Sequence, residues 1–165
     1  MTLVLNRSIR SARKPKGGGH ERRGEILAAA TRIFNSDGYD GATIRRIADE
    51  VGLSSTALYM HFRDKDEILV EICQGAMEQL LTLGAQIAIQ DKPPIERARN
   101  MIEAYIRFGL DNPSTYRLVF CSHGRHLSPE SQAPVEMLGD RCFQKLLDVV
   151  AEIAAQGRLK SPSAE

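Results

Sequence analysis

Two short apolar segments separated by a glycine constrain the fold of this chain most strongly. Residues 43–62 read TIRRIADEVGLSSTALYMHF, with Thr43 and Ser54 at positions typical of helix N-caps and Gly52 between the two segments. Helices this short are not stable alone in water, so their apolar sides must pack against another element. The spacing therefore predicts a helix-turn-helix, a motif whose later helix commonly enters a DNA groove.

Helical periodicity continues on both sides of this motif, and no strand pattern or internal repeat is seen in the sequence. We therefore predict an all-α fold: a three-helix helix-turn-helix head joined by a long fourth helix to a helical regulatory domain. The first helix should end near Gly38, and the fourth should begin near Asp64. Further helices are predicted over 95–110, around Tyr116 and over 132–155. On the last of these, the residues predicted to face inward are Met137, Phe143, Leu146, Leu147, Val150 and Ile153.

Charge is distributed unevenly along the chain. Residues 1–65 contain 12 Lys and Arg against 7 Asp and Glu, whereas residues 66–165 contain 10 against 14. The asymmetry places a polyanionic partner at the N-terminal end. We predict a flexible basic arm over 1–19, a DNA-binding head over 20–66, and a helical effector-binding and dimerisation region over 67–165. The arm is either a solubilising tail or a strand of charge that follows phosphates.

Other classes of protein find little support in the sequence. Cys73, Cys121 and Cys142 are widely spaced and include no CxxC pair, and no apolar run approaches the roughly 18–20 residues of a membrane span. A cytoplasmic protein with no membrane partner is expected. No catalytic pair or phosphate-binding loop can be located, so we expect neither enzymatic activity nor a cofactor. Cys121, His123 and His126 could be considered as metal ligands, but a polar loop is the favoured interpretation.

The sequence around the motif resembles the DNA-binding domain of the TetR family of transcriptional regulators. The resemblance covers EILAAATRIFNSDGYDGATIRRIADEVGLSSTALYMHFRDKDEIL, about 45 residues. Its matching positions are Phe34, Gly38, Tyr39, Thr43, Ile47, Ala48, Gly52, Ser54, Leu58, Tyr59, His61, Phe62, Lys65 and Leu69. A shorter tract, NPSTYRLVF, is similar to the sixth helix of family members with a Trp-His-Gly regulatory domain.

The resemblance implies which residues contact DNA. Tyr59, His61 and Lys65 correspond to residues that grip phosphates, and Thr43 at a helix N-terminus can join them. Positions 55–57 and Arg45 correspond to residues that face base edges. Plain exposure at the surface is the alternative for each. The complete set is Thr43, Arg45, Ser54, Ser55, Thr56, Ala57, Tyr59, Met60, His61 and Lys65.

The resemblance also implies an effector pocket among the C-terminal helices. As a set, the apolar and soft side chains there favour an apolar or aromatic small molecule, although plain core packing is the alternative for most of them. The candidates are Cys73, Met77, Leu80, Met101, Tyr105, Phe108, Tyr116, Phe120, Met137 and Phe143.

Family members usually continue for two further long helices that pair with a partner subunit, and this sequence is expected to lack them. We expect a ligand-responsive repressor that binds a palindromic operator in double-stranded DNA as a homodimer. The alternative is a truncated relative that binds no operator and instead binds a small molecule or pairs with a full-length regulator.

Overall fold

The computed structural model describes residues 19–122 and 127–157, and all regular structure within them is helical. The elements are α1 (Gly19–Gly41), α2 (Ile44–Glu50), α3 (Ser55–Tyr59), α4 (Lys65–Ala88), α5 (Pro94–Asp111), α6 (Pro113–Tyr116), a π-helical segment (Arg117–Ser122) and α7 (Pro129–Ala155). The predicted all-α class is confirmed. No helix in the described part of the chain is both long enough and apolar enough to span a membrane.

Side-chain caps begin three of the first four helices. The hydroxyl of Thr43 accepts a hydrogen bond from the Arg46 amide at 3.2 Å, and that of Ser54 accepts from the Ala57 amide at 3.1 Å. Asp64 accepts from the Glu67 amide at 2.8 Å in the same way. Each bond satisfies an amide that would otherwise lack a partner at a helix start. All three predicted caps are therefore confirmed.

Glycines break the helices at the two predicted positions. Gly38 has φ 73° and ψ 168°, which interrupts α1 near its end. Gly52, in the turn between α2 and α3, has φ 69°. Residues with a β-carbon rarely adopt these backbone conformations, so glycine is the residue that permits both turns.

One core joins the head to the beginning of the C-terminal region. Helix α4 runs without interruption through the predicted boundary after residue 66. Its first turns bury Ile68 and Leu69 with Phe34, Leu58 and Phe62 of the head. Farther along α4, the same cluster includes Cys73, Met77, Phe108, Val119 and Val135. A second cluster, around the C-terminal end of α4, contains Ile87, Ala98, Met101, Val149 and Ile153.

The buried face of α7 differs from the prediction. Ile153 is buried and Leu146 packs on the second cluster, but Met137 is 64% exposed and Phe143 59%, and Leu147 is exposed as well. The inward prediction was wrong for these three residues. Helix α7 carries more apolar residues than one stripe needs, and it packs on α4 and α5 through Val135, Leu138, Cys142, Leu146, Val149 and Ile153. It also begins three residues earlier than predicted, because Ser128 caps it and Pro129 suits the first turn.

Two predicted features lie outside the described residues. The basic arm precedes them except for Gly19, which begins α1. The side chains of Cys121, His123 and His126 are also outside. Within the described part, no three His, Cys, Asp or Glu residues form a group suited to a metal ion.

Candidate DNA-binding interface and ligand cleft

Helix α3 has one buried side and one exposed side. Leu58 is fully buried, and so is Phe62 just beyond the helix. On the other side Thr56 is exposed, Tyr59 is 54% exposed and Met60 is 84% exposed. The helix is therefore supported from behind and presents a hydroxyl, a phenol and a thioether to solvent.

Arg23 of α1 holds the turn that follows α3. Its Nη1 donates a hydrogen bond to the carbonyl oxygen of His61, and its Nε donates to the Glu71 carboxylate at 2.8 and 2.9 Å. The guanidinium also lies 4.0 Å from the ring centroid of Phe62. The hydrogen bond to Glu71 raises the pKa of Arg23, so the side chain stays charged. The sequence analysis missed this residue, and the available signal was the pair of carboxylates one turn apart on α4, at positions 67 and 71.

Lys65 supports the turn that leads from α1 into α2. Its Nζ donates to the carbonyl oxygen of Tyr39 at 2.9 Å and lies 3.5 Å from that of Ala42. The ammonium also lies 4.1 Å from the ring centroid of Tyr39. The Tyr39 hydroxyl donates to the Asp66 carboxylate, and burial, followed by this hydrogen bond, raises the pKa of Tyr39. Lys65 is thus half-buried and joins two elements of the head, a role that the sequence analysis did not foresee.

Helix α2 carries two consecutive arginines, one directed to solvent and one in an ion pair with α1. The Arg45 side chain is 86% exposed, and its Nε lies 3.9 Å from the Asp49 carboxylate. Arg46 instead forms an ion pair of 2.6 Å with Asp37, whose side chain is largely buried. Arg45 is therefore the arginine of α2 that can reach outward from the head.

The ten candidate DNA-binding residues lie on three consecutive parts of the head. Thr43 and Arg45 lie at the start of α2, positions 54–61 in and around α3, and Lys65 at the start of α4. Six are exposed, namely Thr43, Arg45, Ser54, Thr56, Tyr59 and Met60, and four are half-buried, namely Ser55, Ala57, His61 and Lys65. None is part of the closed core.

The C-terminal region contains an apolar cleft of about 370 Å³ between α4, α5 and α7. Six of the ten predicted pocket residues line it: Met77, Leu80, Met101, Tyr105, Phe120 and Phe143. Cys73 and Phe108 instead belong to the shared core, and burial raises the pKa of the Cys73 thiol to about 12. Tyr116 and Met137 are also not lining residues.

An aromatic cluster contributes two residues, Tyr105 and Phe120, to the wall of the cleft. The ring centroid of Phe120 lies 5.8 Å from that of Tyr105 and 4.7 Å from that of Tyr116. The hydroxyls of Tyr105 and Tyr116 are 3.0 Å apart, a hydrogen-bond distance. A β-carbon at Gly109 would lie 3.1 Å from the Tyr116 ring, so glycine there permits the close packing. Tyr116 thus packs against two lining residues without lining the cleft itself.

The sequence analysis did not propose eight further lining residues. They are Leu83, Gly84, Ile102, Ala104, Gly139, Cys142, Lys145 and Leu146. Three of them, Gly84, Ala104 and Gly139, are small residues that create space rather than fill it, and a search for large apolar side chains does not find them. The thiol of Cys142 donates to the carbonyl oxygen of Met77 at 3.3 Å, which holds α7 against α4.

Comparison with known proteins agrees with this geometry. The family model described as bacterial regulatory proteins of the tetR family matches residues 26–72, which contain all ten candidate DNA-binding residues. A second model, the tetracyclin repressor-like C-terminal domain, matches residues 98–165. The crystal structure of the TetR family regulator PfmR from Thermus thermophilus superposes with a TM-score of 0.76 at 30% identity, over 84% of this chain and 74% of that one. This chain belongs to the TetR family of transcriptional regulators.

Two curated relatives of this chain differ in the direction of regulation. The transcriptional activator FasR of Mycolicibacterium smegmatis is 29% identical over 150 residues, 86% of this chain and 68% of the relative. The transcriptional repressor KstR2 of Mycobacterium tuberculosis is 34% identical over 85 residues, 52% of this chain and 42% of the relative. This TetR-family chain therefore spans about two thirds of the length of FasR and less than half of that of KstR2.

Proposed function

We propose that this TetR-family chain is a ligand-responsive repressor that binds a palindromic DNA operator as a homodimer. The observation that carries the proposal is the outward face of α3. Tyr59 and Met60 are exposed there, while Leu58 and Phe62 hold the opposite side in the core. Exposed apolar and aromatic residues at one place on a small head are typical of a recognition surface.

Base recognition is assigned to α3 and to one residue of α2. With α3 in the major groove, the side chains at positions 55–57 face the base edges, and Arg45 reaches in from α2. Arginine can bind guanine through two hydrogen bonds, and the methyl groups of Thr56 and Ala57 fit the methyl of thymine. The exposed pair between Arg45 and Asp49 is long, at 3.9 Å, and costs little to exchange for a base.

Phosphate contacts are assigned to Thr43, Tyr59, His61 and Lys65, with Ser54 and Met60 beside them. The oxygen of Thr43 accepts from the backbone, so its hydroxyl hydrogen is still available to a phosphate. The ammonium of Lys65 has three hydrogens and is directed at two carbonyl oxygens, which leaves one donor. Such contacts set the register of the head on DNA and weaken as salt is added.

The dimer and the effector complete the proposal. Helix α3 has five residues, so one head reads only a short half-site, and a twofold dimer would read two half-sites about 34–36 Å apart or a multiple of that. Helix α4 packs Ile68 and Leu69 in the head and lines the cleft with Met77 and Leu80 about two turns farther on. An apolar or aromatic ligand in the cleft would displace α4 and with it the head.

The test is a selection of genomic fragments bound by the full chain, followed by fluorescence anisotropy with the enriched duplex. We expect the enriched fragments to share an inverted repeat. Thr56→Ala should lower affinity for it, whereas Thr82→Ala, an exposed threonine on α4 away from the head, should not. Enrichment without a shared sequence, or unchanged preference in the Thr56 variant, would contradict the proposal.

A further inference from the structure

Lys145 is a charged residue in an apolar cleft. Among the described residues, fourteen line the cleft, and Lys145 is the one that carries a charge. The others are aliphatic and aromatic residues, methionine, glycine and cysteine. In ligand sites of this kind, the few polar groups commonly fix the orientation of the bound molecule.

The position of Lys145 in α7 brings its stem close to α4. A β-carbon added at Gly84 would lie 4.0 Å from the β-carbon of Lys145, an ordinary van der Waals distance, which shows that the lysine stem starts close to α4. Lys145 is half-buried. A lysine in such a place lays its methylene groups along the apolar wall and keeps its ammonium at the wetter edge.

The ammonium of Lys145 has no ion-pair or hydrogen-bond partner in the part of the chain that the structure describes. The acidic residues one and two turns farther along α7 are already engaged: Asp148 accepts a hydrogen bond from Gln144, and Glu152 is paired with Arg97. An unpaired cation beside an apolar wall attracts an anion more strongly than one surrounded by water.

We infer that the cleft binds an amphipathic acid, with an aliphatic or aromatic body against the apolar wall and its acidic group on Lys145. This inference rests on the proposed use of the cleft as an effector site and adds the class of ligand. A cleft of about 370 Å³ lies at the small end of the range for ligand pockets, which suits a body of modest size.

The test uses 1-naphthylacetic acid and its methyl ester, fluorescent probes whose aromatic body is of modest size, titrated into the full chain. The wild type is compared with Lys145→Met and with Lys92→Met, which removes an exposed lysine outside the cleft. We expect the acid to bind about tenfold more tightly than the ester in the wild type and in the Lys92 variant, as a charge-assisted hydrogen bond predicts. The Lys145→Met variant should bind both probes with the affinity of the ester, and Lys145→Arg should restore the preference.

Equal affinity for acid and ester in the wild type would overturn the inference, and so would a preference that survives Lys145→Met. Failure of the wild type to bind either probe would overturn it as well. Circular dichroism checks that each variant is folded. Operator affinity is measured on the same preparations, so the two proposals fail separately: intact operator binding without acid preference overturns only the ligand class, while absent operator binding overturns the proposed function.

Discussion

The head and the C-terminal region differ in where their apolar side chains are buried and where they are exposed. In the head, large aliphatic and aromatic residues such as Ile26, Phe34 and Phe62 are buried, and the exposed exceptions, Tyr59 and Met60, lie together on the surface proposed for DNA. In the C-terminal region, exposed apolar residues are spread along two helices, at Ile95, Ile102, Ile106 and Leu110 of α5 and at Met137, Phe143 and Leu147 of α7. The head is thus a closed unit with one marked surface, whereas the C-terminal region has an open apolar side.

The largest expected effect contrasts two phenylalanines. Phe62→Ala should lower the free energy of unfolding by about 3–5 kcal/mol, because the ring is buried and lies under the Arg23 guanidinium. Phe143→Ala removes a ring that is mostly exposed and should change it by no more than about 0.5 kcal/mol. Urea denaturation followed by circular dichroism measures both. Similar losses in the two variants would contradict the contrast between a closed head and an open C-terminal side.

A second effect contrasts two glycines. Gly38→Ala should cost about 2 kcal/mol, because φ 73° with ψ 168° is a conformation that essentially only glycine adopts. Gly75→Ala, in the middle of α4, should instead stabilise the protein by about 0.5–1 kcal/mol, since a β-carbon there meets no atom within 4 Å. Thermal denaturation would show opposite shifts in Tm. A Gly38 variant as stable as the wild type would mean that the turn relaxes without strain.

A third effect compares two exposed arginines. Arg45→Ala should weaken operator binding about tenfold, or about 1.4 kcal/mol, and relax the preference at one base pair, because the proposed contact with two hydrogen bonds would be lost. Arg107→Ala removes an exposed arginine of α5, which pairs with Glu103 in the C-terminal region, and should leave affinity unchanged. Anisotropy titrations with single-base variants of the operator measure both. Equal effects of the two substitutions would indicate general charge attraction instead of base readout.

The smallest effect concerns the caps of α4 and α7, the two longest helices in the described part of the chain. The Glu67 amide, which donates to Asp64, and the nearby Arg63 hold the pKa of Asp64 below its ordinary value of 3.8. The carboxylate therefore contributes stability that is present above about pH 4 and is lost as the pH falls through the lowered pKa. Asp64→Asn keeps a cap, so it should cost only a few tenths of a kcal/mol at neutral pH.

Acid titration of stability checks this expectation. Below pH 4 the wild type should lose stability more steeply than the Asp64→Asn variant. Ser128→Ala, at the hydroxyl cap of α7, should instead lower stability by about 1 kcal/mol with no added dependence on pH. Parallel acid profiles for the wild type and the Asp64 variant would show that the carboxylate contributes as a cap alone.

Much of the head was predictable because its signals are local. The caps at Thr43, Ser54 and Asp64 each act on an amide three residues farther on, and a glycine turn depends on a single backbone conformation. The outward position of Tyr59 follows from the burial of Leu58 on the opposite side of a short helix. The pattern of residues within about 20 positions contains all of this information.

The cleft was less predictable. Six of its residues were expected as large apolar side chains, but Gly84 and Gly139 contribute by being small, and Lys145 contributes a charge. On α7, apolar residues occur around much of the helix, so the sequence is compatible with more than one buried face. Periodicity identifies such a helix but does not choose among its faces.

Taken alone, the sequence determined the helical class, the starts of α2, α3 and α4, and the face that α3 presents. Cap hydrogen bonds between near neighbours set the helix starts, and the spacing of apolar residues sets the face. The tertiary structure decided that Lys65 bonds to carbonyls 23 and 26 residues away, that Arg23 reaches Glu71 across 48 residues, and that α7 buries Val135 rather than Met137. These outcomes depend on how separate helices pack, because a side chain is buried only where another element covers it.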